Sequence, residues 1–389
     1  MGSTKMKNLL ILITLIFTIN INADEYSDFK KKQESEYKEY KQTIEEEFNA
    51  YQKAYNDSFK EFSNELAKKW PIKNGNAELS TKKKYVQYGK DLNNKNVIDY
   101  EKKKISLEVI AKNHQEAKKK IEQLFNKLLN EDVKSAYKKD LLETKIANKL
   151  QKPRKSSKSN KKLIADILTA QEKQTMRDNL KKQNLIIVKH KDKFIYKANV
   201  KMPADSMIRK AKTFKNDVIK NANSQQIPAE LIYAIMHSES SFNPMARSHI
   251  PAFGLMQIVP RSAGIDSYLY LYKKRKVLSS AYLYNSSKNI TIGSGYLHIL
   301  YFKYLKNIKN PQSRLYCAIA AYNTGAGNVA RTFIGNTNIN KASLTINTMS
   351  PEQVYNKLLT NLPYQETRKY LKKVNDRVSA YNKLLKTTI

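Results

Sequence analysis

The chain has 389 residues, too many for one small domain, and 41% of them are hydrophobic, which excludes a wholly disordered polymer. Only 10 Gly and 10 Pro disfavour a turn-rich all-β architecture, and a single cysteine excludes an intramolecular disulfide framework or a Cys-based metal cluster. Against 35 acidic residues stand 71 basic ones, a formal net charge of +36, which points to a polyanionic partner without saying whether it is nucleic acid, lipid headgroup or cell-wall polymer.

In chain order, residues 1–23 read as a secretory signal. Lys5 and Lys7 precede an apolar run over 9–17, and Ala23 is a small residue suited to cleavage. The run is too short for a bilayer of about 30 Å. A periplasmic protein beginning near Asp24 is expected, and Cys317 lies too far away to carry a lipid beside the signal. Residues 24–67 are charged, with Phe29, Tyr37, Tyr40, Ile44, Phe48, Tyr51, Tyr55 and Phe59 at three- and four-residue spacing, which predicts one long amphipathic helix or a helical pair with an aromatic packing face. Trp70-Pro71 breaks it. Residues 85–88 and 97–111 are strand-like, and 105–109 alternate as a half-buried strand should. Helical patterning covers 114–151, a basic loop 152–162, and another helix ends near Lys182. A pair of strands is expected at 185–188 and 194–200. From Ala204 onward the pattern is helix after helix. The expected fold class is α+β, mainly α: a signal over 1–23, a mixed helical and strand domain over 24–203, and an all-helical domain over 204–389.

The chemistry starts at Pro228 and Glu230, which mark a helix start. Ile232, Ile235, Met236 and Glu239 then fall at i, i+3, i+4 and i+7, so a carboxylate ends an inward-facing apolar stripe. Desolvation there raises its pKa, as a general acid at neutral pH requires. On this helix alone a structural glutamate paired with a base remains open. Glu239-Ser240-Ser241-Phe242-Asn243-Pro244 is followed by Gly254-Leu255-Met256-Gln257-Ile258, a helix-like run introduced by glycine. Leu315, Ala318, Ile319 and Tyr322 repeat the helical spacing and end in Asn323-Thr324-Gly325-Ala326-Gly327. Pro363-Tyr364-Gln365-Glu366-Thr367-Arg368-Lys369-Tyr370 opens a last amphipathic helix.

Those four stretches, in this order, resemble the soluble-lytic-transglycosylase domain, a goose-type-lysozyme-like fold, over roughly residues 205–385. Ser262-Ala263-Gly264, Asn347-Thr348-Met349-Ser350-Pro351 and Lys373-Val374-Asn375 give a finer likeness to the membrane-bound lytic murein transglycosylases of the C type. Trp70 and residues 83–98 resemble the N-terminal domain of that branch. The resemblance implies cleavage of the β-1,4 bond between N-acetylmuramic acid and N-acetylglucosamine in peptidoglycan, with a 1,6-anhydro product and no water consumed. It implies Glu239 as acid and base, Tyr370 as a second catalytic residue aiming its hydroxyl at the glutamate, and Ser248, Met256, Gln257, Tyr322 and Asn323 as substrate contacts. The residues themselves agree on one point: between 240 and 351 the only acidic side chain is Asp266, whereas a two-carboxylate glycosidase needs a second acid close to the first. Thr324 departs from the glycine frequent there in the family, and the family's lipid-attachment cysteine is missing.

No metal and no cofactor are expected, and His237 and His249 read as core or surface histidines. Residues 273–276 read as a solvated basic loop. The expected partners are peptidoglycan glycan strands, together with an outer-membrane or other polyanionic surface; no nucleic-acid recognition motif is present. Two other readings stay open: a lysozyme-like hydrolase on the same fold, and a non-catalytic cationic wall-binding protein.

Overall fold

The computed structural model describes residues 23–72, 77–154 and 156–386; the expected signal over 1–22 lies outside them. Helix α1 is Ala23–Ala67, one continuous helix rather than a pair. Three strands follow, β1 (Lys84–Tyr88), β2 (Asn94–Asp99) and β3 (Lys104–Ile110), then α2 (His114–Asn130), α3 (Val133–Lys138), α4 (Leu141–Lys149), α5 (Ala170–Lys182), β4 (Ile186–His190) and β5 (Lys193–Lys201). The remainder is helical: α6 (Ser206–Lys212), α7 (Lys215–Gln225), α8 (Ala229–Ser240), α9 (Ile265–Tyr272), α10 (Ser280–Leu283), α11 (Ser286–His298), α12 (Pro311–Thr324), α13 (Ala326–Ile334), α14 (Ile339–Asn347), α15 (Pro351–Asn361) and α16 (Gln365–Lys386). The fold class is α+β and mainly α.

Before residue 203, two details refine the sequence reading. The expected helix over 114–151 is three helices, because Asp132 and Asp140 each turn a side chain onto the backbone three residues on, Ser135 N at 2.8 Å and Glu143 N at 3.1 Å, and so start new helices. The strand-like run over 97–111 is two strands, joined at Tyr100–Lys103 where Lys103 takes a positive φ of 52°.

The five strands form one antiparallel sheet in the order β1-β2-β3-β5-β4. Ile105, Leu107 and Val109 of the central strand face α2 and α5 with Ile121, Phe125 and Leu180. The opposite face packs Val86, Tyr88, Val97 and Ile195 against Tyr55, Phe62, Leu66 and Trp70 and against Leu142 and Ile146 of α4. β3 is therefore covered on both faces. Its one acidic residue, Glu108, survives burial because Lys95 Nζ at 3.0 Å and Lys197 Nζ at 2.9 Å neutralise it. Trp70, beyond the end of α1, is fixed by donating Nε1–H to Leu92 O at 2.9 Å.

By compactness the chain divides at Ala50/Tyr51. Within residues 51–389 a single hydrophobic cluster runs from Tyr85 to Tyr381 and continues across residue 203. The polar seat between the sheet-bearing and helical parts is Arg247, nine-tenths or more buried, whose guanidinium bonds Asp140 and lies 4.0 Å from Glu143. Glu143 also accepts from Ser280 at 2.9 Å. Burial pushes the Glu143 carboxyl up, with Arg247 opposing, while Asp140 and Glu143 together hold Arg247 firmly charged against its own desolvation.

Arg247→Met leaves the buried Glu143 and the half-buried Asp140 without their cation and is expected to cost about 3–5 kcal/mol in urea unfolding. Adding Asp140→Asn and Glu143→Gln, which keep the cap and the shapes, should recover most of that loss. A triple variant no more stable than Arg247→Met would show that the charges are not what the arginine satisfies.

Candidate active site

Pro228 precedes α8, and the chain leaves the helix through two consecutive left-handed residues, Ser241 (φ 51°) and Phe242 (φ 61°). Both are costly for non-glycine residues, and both are held by complete burial. Ser240 Oγ lies 2.8 Å from the carbonyls of both Met236 and Leu255, its one proton shared between them, which ties the helix end to the loop that follows. Glu239 on this last turn is only 6% exposed.

Burial is the main influence on Glu239 and raises its pKa. Lys82, from the loop before β1, opposes with its Nζ 3.6 Å from Oε2. The Tyr370 hydroxyl also opposes, while Glu366 adds to the rise. Tyr370, on α16, is buried, and its hydroxyl, which faces Glu239, meets no partner at full hydrogen-bonding geometry among the described residues. After burial, Glu239 is nonetheless the charge that most raises its pKa. Glu366 is one turn earlier on α16 and exposed. The chain fold thus brings within electrostatic reach of Glu239 a second carboxylate that lies 127 positions away in sequence, while Asp266 is not among the charges that bear most on it.

Residues 254–257 are a tight turn rather than the helix-like run expected, closed by a bridge between Phe253 and Ile258. Gly254 sits at φ +75°, and a Cβ there would come within 2.4 Å of Leu283 O, so only glycine fits. Asn289 holds the turn, accepting from Met256 N at 2.8 Å and donating to Phe253 O at 2.8 Å. Met256 is wholly buried, its side chain packed where Gly293 leaves room. Its carbonyl accepts from Tyr322 Oη at 2.8 Å, so Tyr322 reaches from the end of α12 to brace the turn. Gln257 donates to Gly254 O at 3.0 Å, leaving Oε1 buried with no hydrogen-bond partner among the described residues. Gly325 (φ +85°) ends α12, and Asn323 just before it accepts from Thr367 Oγ1 at 2.7 Å, linking α12 to α16. Ser248 bonds Ile250 O within its own loop and lines an open cleft of about 680 Å³ with Tyr55, Phe59, Lys82, Lys102 and His249.

The structure therefore gathers Glu239, Tyr370 and Tyr322, with Met256 and Gln257 on the braced turn and Asn323 on the α12–α16 link, and it places Ser248 in the adjoining cleft. Tyr322 also senses the Glu239 charge, which with burial raises its pKa well above the usual phenol range. Sequence reasoning missed Lys82, Glu366 and the loop anchor Asn243, whose Nδ2 reaches Lys82 O at 3.3 Å. Glu366 lay within a motif already singled out; nothing local marks Lys82. His237 is held by Tyr381 Oη at 3.0 Å, and burial with nearby cations drops its pKa to about 3, so it stays neutral. His249 is exposed, edge-on to Phe59.

Residues 216–344 match the family model described as Transglycosylase SLT domain. The chain is 40% identical over 191 residues to the membrane-bound lytic murein transglycosylase C of Salmonella arizonae, covering 49% of this chain and 52% of the relative. It is 40% identical over 189 residues, with the same coverage, to the protein of that name from Sodalis glossinidius. The chain thus spans about half the length of the curated relatives it matches. The solved 70 kDa soluble lytic transglycosylase of Escherichia coli overlaps 69% of this chain and 43% of its own, at 16% identity and a TM-score of 0.35, too loose to carry a residue correspondence.

A carboxyl with a raised native pKa holds its proton more tightly folded than unfolded, so its contribution to stability falls as pH climbs from about 4.5 to the native value. Glu239→Gln has no such loss. Its stability relative to wild type should rise across that window by about 1.4 kcal/mol for each pH unit that separates the unfolded from the native pKa, and then level off. Urea midpoints from pH 4 to 8 measure this; a difference independent of pH would mean that folding leaves the proton affinity of Glu239 unchanged.

Proposed function

We propose that this chain, which carries a transglycosylase SLT domain, is a lytic transglycosylase that cleaves the β-1,4 bond between N-acetylmuramic acid and N-acetylglucosamine in peptidoglycan and leaves a 1,6-anhydromuramyl end. The observation that carries the reading is Glu239: a carboxyl buried at a helix end with its pKa raised, beside the Tyr370 phenol and 3.6 Å from Lys82, which lines an open cleft. Burial favours the protonated form of such a group, the form that can give a proton to a glycosidic oxygen.

In this mechanism Glu239 gives its proton to the glycosidic oxygen as the bond to muramic C1 breaks. The resulting carboxylate then removes the proton of the C6 hydroxyl, whose oxygen closes on C1. Tyr370 holds its hydroxyl beside the carboxyl and steadies the geometry of both proton transfers. Gln257 offers a buried acceptor to a sugar hydroxyl or amide, and an acceptor left bare in the free protein is what a bound ligand would satisfy. Met256 and Tyr322 set the position of that turn, Asn323 contributes a polar wall, and Ser248 meets the substrate farther along the cleft. Residues 204–389 are assigned the chemistry, and residues 24–203 support it.

One observation favours a second reading. Glu366 supplies the further carboxylate that a hydrolase would use to activate water. The product decides between them, since hydrolysis gives muropeptides heavier by one water. The relatives' printed name places them at a membrane. No described helix is long and apolar enough to cross one, and we assign this chain to the cell envelope, exported to the periplasm by its signal and held by its positive charge.

Glu239→Gln should fold and lose about 10²–10⁴-fold in release of anhydro-muropeptides from purified sacculi. Retention of more than a tenth of wild-type turnover would sink the assignment. Tyr370→Phe keeps the ring and should lower turnover while leaving sacculus binding nearly intact. Equal activity of Tyr370→Phe and wild type from pH 5 to 8 would return that residue to a packing role.

A further inference from the structure

Lys82 lies outside the matched domain and in the sheet-bearing part of the chain, yet its ammonium is 3.6 Å from the Glu239 carboxylate. It is the middle of a run from Thr81 to Lys84 in which each lysine has a different carboxylate: Lys83 pairs with Glu101, and Lys84 lies 3.6 Å from Glu78 and 3.7 Å from Asp99. Only Lys82 turns to the site.

Its backbone is fixed from both sides. Thr81 N donates to Lys84 O at 2.9 Å, and Ser80 Oγ accepts from Val86 N at 2.9 Å, which roots the loop in the sheet. From the helical part, Arg247 N donates to Thr81 O at 3.4 Å and Asn243 Nδ2 to Lys82 O at 3.3 Å. Asn243 is itself held by accepting from Met245 N at 3.0 Å. The peptide that presents Lys82 is thus bonded to the same loop that follows Glu239, four residues past the carboxyl. The Lys82 side chain is 38% exposed and lines the 680 Å³ cleft while its ammonium reaches Glu239, so one residue touches both the cleft and the carboxylate.

We propose that Lys82 is a positioning residue of the active site, delivered by the sheet-bearing part of the chain to stabilise the Glu239 carboxylate that forms when the glycosidic oxygen takes the proton. This inference rests on the reading of Glu239 as the acid. Lys82 itself neither gains nor loses a proton. The proton passes from Glu239 to the leaving oxygen as the C1–O bond breaks, and the C6 hydroxyl returns one to Glu239 as the new O6–C1 bond forms.

The groups facing Glu239 act in opposite directions. From α16 Glu366 disfavours its ionisation and the Tyr370 hydroxyl favours it, and from α12 Tyr322 presents a neutral phenol. His237, two residues earlier on α8, is neutral. Lys373 and Arg377 of α16 gather around Glu101 and Lys83 at the next position along the surface, where burial first, and then the neighbouring Lys83 and Arg377, lower the Lys373 pKa to about 8. Lys82 is the cation whose charge bears most on Glu239.

The test is the pH profile of anhydro-muropeptide release from sacculi by the full chain as wild type, Lys82→Gln and Lys82→Arg, with Glu239→Gln as control. Removing the cation should lower the maximal rate about tenfold or more, within the range for losing one charge-stabilising group. The same change should move the alkaline limb to higher pH, because Glu239 then keeps its proton longer. Lys82→Arg should restore both, and pelleting with sacculi should be unchanged in all three. A limb at the wild-type position in Lys82→Gln, or a displaced limb in Lys82→Arg, overturns the proposal. If Glu239→Gln is inactive and Lys82→Gln keeps the wild-type profile, only the role of Lys82 falls; if Glu239→Gln is active, the acid assignment falls with it.

Discussion

The fold turns on a buried charge. Arg247 sits where the helical part meets the sheet-bearing part, with its guanidinium on Asp140 and near Glu143. Such a group tolerates little displacement, since any gap exposes an unpaired charge to a low-dielectric interior. Asp140 is at the same time the cap that starts α4, so the pairing fixes a helix of one part against a loop of the other. Arg247 belongs to the loop that leaves Glu239, and its backbone N–H bonds Thr81 O. The electrostatic need of one arginine therefore sets where the loop bearing Lys82 lies relative to the carboxyl.

The site uses the complementary device, a carboxyl buried without full compensation. Its nearest cation is 3.6 Å away and partly solvated, a second carboxylate opposes it, and the nearby phenol does not meet it at bonding geometry. A structural glutamate would be expected to be satisfied, as Glu108 is by two lysines at 3.0 and 2.9 Å. Within one chain, then, two buried glutamates have different surroundings, one paired closely with two lysines and one whose pKa burial raises. Strain at Ser241 and Phe242 marks the same place, and the surrounding core holds both residues in conformations they would otherwise leave.

The turn over residues 254–257 shows how local pattern misleads. Gly254-Leu255-Met256-Gln257 has apolar residues close together, which suits a helix, but Gly254 is pressed against Leu283 O and Asn289, and Gln257 is left-handed. Those constraints come from α10 and α11, about 30 residues on. The strand-like run over 97–111 and the helical patterning over 114–151 are subdivided for a nearer reason: Lys103 at positive φ and the caps Asp132 and Asp140 interrupt runs whose hydrophobic period is otherwise unbroken.

Periodicity and caps were enough to read the helical character of residues 24–67, though not whether it is one helix or two, the paired strands around 186–201, the inward face of α8 and the helical second half, because each depends on residues within one or two turns of one another. The inward direction of Glu239 followed from its place at the end of an apolar stripe. The position of everything that faces it did not. Lys82 is 157 positions before it and Tyr370 131 after, and no local spacing encodes a contact made by packing a sheet loop and a terminal helix onto one helix end. That convergence is set by long-range burial, by Arg247 and by the Asn243 bonds, which exist only once the chain has folded. Residue type and spacing decided which carboxyl is buried; tertiary packing decided which charges surround it, and so how firmly it holds its proton.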